Sequence, residues 1–274
     1  MNESDNKPKS PMQFSATWDA VAKGYADESR KHAVKYSERA LSIAPLTGTE
    51  RVLDIATGPG TLALLAAERA AKVVAIDFSA GMIAQLAELS QQHGLSNVEG
   101  KVMDAQSLAF DDESFDATYC MFGCMFFPDR ATAFREMRRV LRPGGTFVLG
   151  TWAPIDRRPL MKLGFDALAE AMPELPAMQK GDLQSVGECV QELSAVGFQN
   201  VRCEPFTASA QVESAEQYLT FMERGGAPFA ALKKRLGDSA WQAVFERMRI
   251  AVRTRLPEGG ASLAAEALLT SGVR

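Results

Sequence analysis

Cysteine and histidine are scarce in this sequence. Among 274 residues there are four cysteines, Cys120, Cys124, Cys189 and Cys203, and two histidines. The cysteines show no CxxC spacing and lie near no pair of histidines, so the clustered ligands that a zinc site needs are missing. We therefore expect no metal site, and we expect reduced thiols, as in a cytoplasmic protein.

Long apolar runs and an excess of basic charge are missing as well. No apolar run approaches the roughly 20 residues of a membrane-spanning helix. Residues 1–13 are polar and lack the apolar centre of a signal peptide, so we predict a disordered tail there and a cytoplasmic location. Thirty Lys and Arg stand against 34 Asp and Glu, with a formal net charge of −4. A surface that attracts nucleic acid or anionic lipid is therefore not expected.

What is present is an alternation of short apolar strands with longer helical patterns. Strands are predicted over 51–55, 72–77, 97–103, 115–121, 146–152, 200–207 and 261–272, the last despite an Ala and Leu content that suits a helix nearly as well. This alternation indicates an α/β fold, a doubly wound, mostly parallel seven-stranded sheet of the Rossmann-like kind with helices on both faces. We predict one domain over 14–274, with a helical cap at 14–46 and a helical insertion at 208–260 before the last strand.

The strongest functional signal follows the first strand, in residues 54–60 (DIATGPG). Gly58 and Gly60 allow the backbone to pass close to a ligand, and the next helix begins with free N–H groups. The turn also satisfies the G-x-G-x-x-A pattern of dinucleotide-binding folds, and Asp77 lies at the distance of their ribose-binding acid. Asp54 argues against a dinucleotide, because its carboxylate would repel a pyrophosphate and attract a cationic amino group.

These residues resemble the first motif of the class I S-adenosylmethionine-dependent methyltransferases, an acidic residue followed by a glycine-rich turn. Ala56 stands where many members have a glycine, and the ubiquinone/menaquinone C-methyltransferase branch commonly has alanine there too. Residues 115–120 resemble the family's fourth-strand motif, and 133–145 resemble its helix and turn before strand five. The resemblance is strong over 14–152 and weak in the remainder.

The resemblance implies S-adenosylmethionine as the cofactor and S-adenosylhomocysteine as its product. By this likeness Asp77 binds the ribose hydroxyls, and Asp104 with the backbone of Ala105 contacts the adenine edge. Tyr25 would close over the methionine end or simply pack a helix on the sheet. The full set of residues implied for cofactor binding is Tyr25, Asp54, Ala56, Thr57, Gly58, Gly60, Asp77, Phe78, Met82, Asp104, Ala105 and Cys120.

The sequence gives weaker evidence for the methyl acceptor than for the cofactor. The uncharged run 121–128 after the fourth strand predicts a small, mostly apolar or aromatic acceptor if it faces the site, and it is equally compatible with a core. No Asn/Asp-Pro-Pro-Tyr/Phe motif is present, so transfer to O or C is favoured. His32 is a candidate general base, and Arg157 and Arg158 either hold an acidic group or lie at the surface.

Two alternatives and the oligomeric state stay open at this point. The alternatives are an NAD-linked oxidoreductase and a non-catalytic S-adenosylmethionine-binding protein. The expected partner is a small-molecule acceptor, with no nucleic acid and no membrane span, and a homodimer is one option for the assembly.

Overall fold

A mixed seven-stranded sheet forms the centre of the fold. The computed structural model describes residues 10–175 and 182–274. The strands lie in the order β3-β2-β1-β4-β5-β7-β6. The first five are parallel, and β7 is antiparallel to both of its neighbours. The predicted seven-stranded sheet with helices on both faces is confirmed, and the sheet is mixed. The strands are β1 Arg51–Ile55, β2 Lys72–Asp77, β3 Val98–Val102, β4 Phe115–Met121, β5 Leu141–Trp152, β6 Gln199–Val212 and β7 Ala261–Val273.

Ten α-helices in the described residues pack around this sheet. Several begin where the sequence supplies a capping side chain: the Ser79 hydroxyl accepts from the Met82 N–H at 3.1 Å, and Asp129 accepts from the Thr132 N–H at 2.9 Å. Such side chains satisfy N–H groups of the first helical turn. The helices are α1 Ser15–Gly24, α2 Arg30–Ile43, α3 Thr61–Ala67, α4 Ala80–Gln92, α5 Arg130–Val140, α6 Pro159–Ala171, α7 Val186–Ala195, α8 Ala215–Gly225, α9 Ala227–Leu236 and α10 Asp238–Arg255.

The central strands are buried on both faces. Val52 and Leu53 of β1, and Val73 and Val74 of β2, are fully buried although consecutive side chains of a strand point to opposite faces. Helices on both sides of the sheet cover them, which is the usual arrangement of parallel strands. The near-continuous apolar run of each strand follows from this double burial.

The N-terminal segment is helical and covers one end of the sheet. Asp19 of α1 accepts from the Ser79 hydroxyl at 2.6 Å and from the Gly81 N–H at 2.8 Å, which joins α1 to the start of α4. Residues 1–9 of the predicted tail lie outside the described residues. The end of that tail is ordered, because Pro11–Gln13 form a 3-10 turn and Met12 is buried.

The C-terminal half differs from the prediction at one boundary. Residues 208–212 belong to β6, whose pairing with β7 continues to Val212 opposite Ala261, so the helical segment begins at Ala215 and not at 208. The helices α6, α8, α9 and α10 pack around the buried Trp241 and Met248. None of the helices in the described ranges is long and apolar enough to cross a membrane.

Candidate active site at the carboxyl ends of the strands

A cavity of about 200 Å³ opens where β1, β2, β3 and β4 end. The order of the sheet reverses at β1, which lies between β2 and β4, and open α/β sheets bind ligands outside the carboxyl ends of their strands at such a point. Ten of the twelve predicted cofactor residues line this first cavity: Tyr25, Asp54, Ala56, Thr57, Gly58, Asp77, Phe78, Met82, Asp104 and Ala105.

The glycine-rich turn is held in a left-handed backbone conformation. Ala56, Gly58 and Gly60 have φ angles of 53°, 56° and 88°. Glycine adopts such angles without strain, whereas alanine has a Cβ that makes them unfavourable. A Cβ on Gly60 would lie 2.2 Å from Leu86 Cδ1, so this glycine is needed to pack the turn against α4.

Asp54 places a buried carboxylate under this turn. Its Oδ2 accepts from the Thr57 hydroxyl at 2.6 Å and from the Ala63 N–H at 3.1 Å. Its Oδ1 is buried and has no hydrogen-bond partner among the described residues. Burial raises the pKa of Asp54 to about 7, because the charged form loses hydration. A cationic donor from a ligand would satisfy this oxygen.

Asp77 links β2 to the same turn. Its carboxylate accepts from the Gly58 N–H and from the Ser79 N–H, both at 2.9 Å. Burial raises its pKa to about 6, although both hydrogen bonds act in the opposite direction. Burial and the charge of Asp77 together raise the pKa of Tyr25 to about 12, so the Tyr25 phenol stays protonated at neutral pH.

Asp104, at the end of β3, is exposed and held by Gln106. It accepts from the Gln106 backbone N–H at 2.8 Å and from the Gln106 side-chain amide at 3.1 Å. Gln106 in turn accepts from the Asp129 N–H at 2.8 Å, which connects this loop to the start of α5. Gln106 lines the cavity but belongs to no sequence motif, so it was not predicted as a site residue. Gln13 and Trp18 were not predicted either, because only the folding of the N-terminal segment brings them to the cavity.

Two predicted residues do not line the cavity. Gly60 packs against α4, as described above, and Cys120 is buried. A hydrogen bond with Cys124, together with burial, raises the pKa of the Cys120 thiol well above its usual value. Gly123 lines the cavity close by, and a Cβ there would lie 2.2 Å from the Cβ of Ala56.

A second cavity of about 500 Å³ adjoins the first and shares Trp18, Tyr25, Ala33, Phe122 and Phe126 with it. Phe122 marks the boundary, with a φ of 65° that is rare for so large a side chain. Its ring stacks on Trp152 with 4.0 Å between the centroids, and Tyr36 meets both rings edge to face at 5.4 Å and 5.3 Å. The run 121–128 therefore contributes to both cavities rather than only to the core.

The described residues that line the second cavity include no Asp or Glu. The basic ones are Lys31, His32, Lys35 and Arg158. Burial lowers the pKa of His32 below its usual value, and its ring meets Phe221 edge to face at 4.8 Å. The neighbouring Arg157 is instead exposed and forms an ion pair with Glu266 at 2.8 Å.

The sequence matches known methyltransferases over most of its length. Residues 52–145 match the family model of a methyltransferase domain. A demethylmenaquinone methyltransferase of Clavibacter sepedonicus is 32% identical over 223 residues, which cover 73% of this chain and 88% of that protein. The chain belongs to the class I S-adenosylmethionine-dependent methyltransferases. Within them it falls in the ubiquinone/menaquinone-like branch.

Solved structures agree on the fold. The YcgJ protein of Bacillus subtilis superposes with a TM-score of 0.56 at 23% identity, covering 89% of this chain and 98% of that one. A phosphoethanolamine N-methyltransferase of Haemonchus contortus, solved with S-adenosylhomocysteine, gives a TM-score of 0.55 at 16% identity, covering 88% and 52%. Identities this low establish the fold alone.

The methyltransferase uses S-adenosylmethionine as its methyl donor, and the first cavity suits that molecule. The donor carries an ammonium and a sulfonium group, and the cavity presents the unpartnered Oδ1 of buried Asp54 together with Asp77. No Lys or Arg is among the described residues that line it. A dinucleotide pyrophosphate would meet two buried carboxylates there and no cation, so the NAD-linked alternative has no support. Nor do the comparisons support a non-catalytic binding protein.

Proposed function

We propose that this methyltransferase transfers the methyl group to an oxygen or carbon atom of a small, mostly apolar or aromatic acceptor bound in the second cavity. The observation that carries the proposal is the aromatic wall of Tyr36, Phe122 and Trp152 directly beside the first cavity. Small-ligand sites are typically apolar with few fixed polar groups. The named activity of the Clavibacter sepedonicus relative, on demethylmenaquinone, supports an acceptor of this kind.

The proposed cofactor site assigns each end of S-adenosylmethionine to residues of the first cavity. Asp54 Oδ1 would accept from the ammonium group, and the free lone pairs of Asp77 would accept from the ribose hydroxyls. Phe78 and Met82 would flank the adenine, while Asp104 and the Ala105 N–H would contact its edge. Tyr25 would close the methionine end, which directs the methyl group toward the boundary at Phe122.

In this arrangement the protein contributes mainly alignment. Methyl transfer from a sulfonium needs nucleophile, carbon and sulfur in line, and orientation of that kind can lower a barrier by about 7 to 11 kcal/mol. An acceptor that must lose a proton also needs a base. His32 is our candidate, because its lowered pKa keeps the imidazole neutral at pH 7 and it lines the second cavity. His32→Gln should then reduce kcat for a phenolic acceptor and leave S-adenosylhomocysteine affinity unchanged.

The remaining predictions concern the surroundings of the site. We propose one domain over residues 14–274, in which the helical cap and the helices between Ala215 and Arg255 enclose the acceptor. A cytoplasmic location, a homodimer and the absence of nucleic-acid binding stay predictions.

The decisive experiment is a screen with methyl-labelled S-adenosylmethionine. The acceptors are short-chain hydroquinones and phenols, with a polyamine, tRNA and duplex DNA as charged comparisons and Asp77→Ala as the impaired enzyme. We expect label only in lipophilic aromatic products, and NMR of the product identifies the methylated atom. Strong methylation of a highly charged acceptor would contradict the proposal.

A further inference from the structure

The second cavity contains a buried cation that has no counter-ion in the part of the chain that the structure describes. Arg158 immediately precedes α6, lines the cavity and is only 8% exposed. Within residues 10–175 and 182–274, its Nε has no hydrogen-bond partner and no carboxylate forms an ion pair with its guanidinium. Burial lowers its pKa to about 10, which still leaves the group charged at neutral pH.

The other cationic side chains of this region are satisfied. Lys31 donates to Glu28 at 2.9 Å, and Lys35 donates to the Ser209 carbonyl at 3.1 Å. Arg157, the adjacent residue of the same type, forms an ion pair with Glu266 and is exposed. Of these residues, only Arg158 is both buried and unpaired. A general excess of positive charge in this region therefore does not explain why Arg158 lacks a partner.

The protein groups next to Arg158 compensate its charge only in part. Its guanidinium carbon lies 5.8 Å from the centroid of the Trp152 ring, a cation–π distance. Tyr36 carries no charge at neutral pH, since its pKa, ordinarily 10, is raised further by burial to about 12, and its hydroxyl donates to the Ala265 carbonyl at 2.6 Å. A guanidinium has five N–H donors, and a buried charge without a partner is costly. A bound anion would remove this cost.

We propose that Arg158 binds an anionic oxygen of the acceptor, either a carboxylate or an ionised phenolic hydroxyl, on an otherwise lipophilic aromatic molecule. This inference rests on the proposed function of the second cavity and adds that the acceptor carries a negative charge. The planar guanidinium matches such oxygens with paired hydrogen bonds. Trp152 stacks on Phe122 at the boundary between the cavities, so an aromatic ring bound along this wall has its anionic oxygen beside Arg158 and its reactive atom toward the first cavity.

The test measures a preference for charge between ligands of the same shape. Protein saturated with S-adenosylhomocysteine is titrated with 2-naphthoate, with 2-naphthamide, and with 4-nitrophenol, whose colour reports its ionised form. We expect the wild type to bind 2-naphthoate or ionised 4-nitrophenol at least about tenfold more tightly than 2-naphthamide, the scale of a hydrogen bond to a charged group. The two anions distinguish a carboxylate from a phenolate as the preferred group.

Arg158→Met should abolish this preference and leave the affinity for 2-naphthamide within about threefold. Lys35→Met is the matched control, because it removes a satisfied cation from the same cavity and should keep the preference. Arg158→Met should also keep the Tm or raise it by about 2 °C or more, since a buried unpaired charge is lost. Arg158→Lys keeps the positive charge but lacks the planar guanidinium, so it should prefer the anions over the amide less strongly than the wild type does.

Equal binding of the anions and the amide by the wild type would overturn the proposal. So would an unchanged preference in Arg158→Met, whatever its Tm, or, if that variant does not fold, an undiminished preference in Arg158→Lys. If neutral aromatic acceptors are methylated and anions are not preferred, only the role of Arg158 is refuted and the proposed function stands. Anion binding that depends on Arg158, without methylation of any lipophilic acceptor, would refute the proposed function instead.

Discussion

Asp77 accepts a hydrogen bond from the backbone N–H of Gly58 at 2.9 Å, so the end of β2 holds the glycine-rich turn that follows β1. The same carboxylate accepts from the Ser79 N–H, at the point where α4 begins. One buried side chain therefore joins three elements of the first cavity. It also keeps lone pairs available for a ligand.

Because of these contacts, Asp77→Ala should affect both binding and stability. We expect S-adenosylhomocysteine affinity to fall by about 1.5 to 3 kcal/mol, the scale of hydrogen bonds to a charged group. Calorimetry measures this change, and thermal unfolding reports the loss of support for Gly58 and Ser79. Asp104→Ala should have a smaller effect, because Asp104 is exposed and the Ala105 backbone remains. A lowered Tm with unchanged affinity would show that Asp77 is only structural.

Asp54 should make cofactor affinity depend on pH. Its folded pKa of about 7 exceeds the ordinary value of 3.8. The folded state therefore holds the proton more tightly, and the stability of the cofactor-free protein falls as pH rises from about 4 to about 7. The ammonium group of the donor needs the ionised carboxylate, so affinity should rise by roughly 25-fold between pH 5.5 and 7.5. Burial also raises the pKa of Asp77, to about 6, so its ionisation contributes to affinity in the same direction.

The comparison variant for this pH effect is Asp54→Asn, measured by calorimetry over the same range. It should bind S-adenosylmethionine weakly at every pH and lose most of the pH dependence. A wild-type affinity that stays constant from pH 5.5 to 7.5 would contradict the role assigned to the Asp54 carboxylate.

Ala56 and Gly123 form a pair whose substitutions should compensate. Gly123→Ala introduces a Cβ 2.2 Å from that of Ala56 and should lower stability by about 1 to 3 kcal/mol, as overpacking does. Ala56→Gly relieves the left-handed strain at φ 53° and should leave stability equal or up to about 1 kcal/mol higher. In the double variant, Gly123→Ala should lower stability by much less than it does in the wild-type background. Thermal unfolding of all four proteins measures the coupling, and purely additive effects would exclude this contact as the cause.

Phe122→Ala should raise KM for the proposed acceptor while S-adenosylhomocysteine affinity stays within about threefold, because the Phe122 ring stacks on Trp152, which lines only the second cavity. Stability should also fall by about 2 to 4 kcal/mol, since the ring is 8% exposed and packs on Trp152. Phe198→Ala is the control, with a buried ring outside both cavities. It should lower stability to a similar extent and leave KM unchanged. Equal effects of the two variants on KM would make Phe122 a core residue.

Much of the parallel half of the fold could be predicted because its causes are local. The apolar run of β1, the left-handed turn that needs Gly58, and the Ser79 cap of α4 each act over a few neighbouring residues. The resemblance of these elements to methyltransferase motifs predicted twelve cofactor residues, of which ten line the first cavity and Gly60 and Cys120 do not. The carboxyl ends of parallel strands meet at one edge of the sheet, and the motifs mark those ends.

Features that depend on distant partners could not be predicted in this way. β6 continues to Val212 because β7, almost fifty residues later, supplies its hydrogen-bond partners. The same pairing makes a strand of residues 261–273, whose composition also suits a helix. Arg157 and Arg158 are adjacent and identical in type, yet Arg157 is exposed and pairs with Glu266, whereas Arg158 is buried near Trp152. Local sequence pattern predicted the fold class, and the resemblance of the motifs to those of class I methyltransferases predicted the family and the cofactor. Only tertiary packing, through contacts between elements far apart in the chain, decided which arginine lines the second cavity.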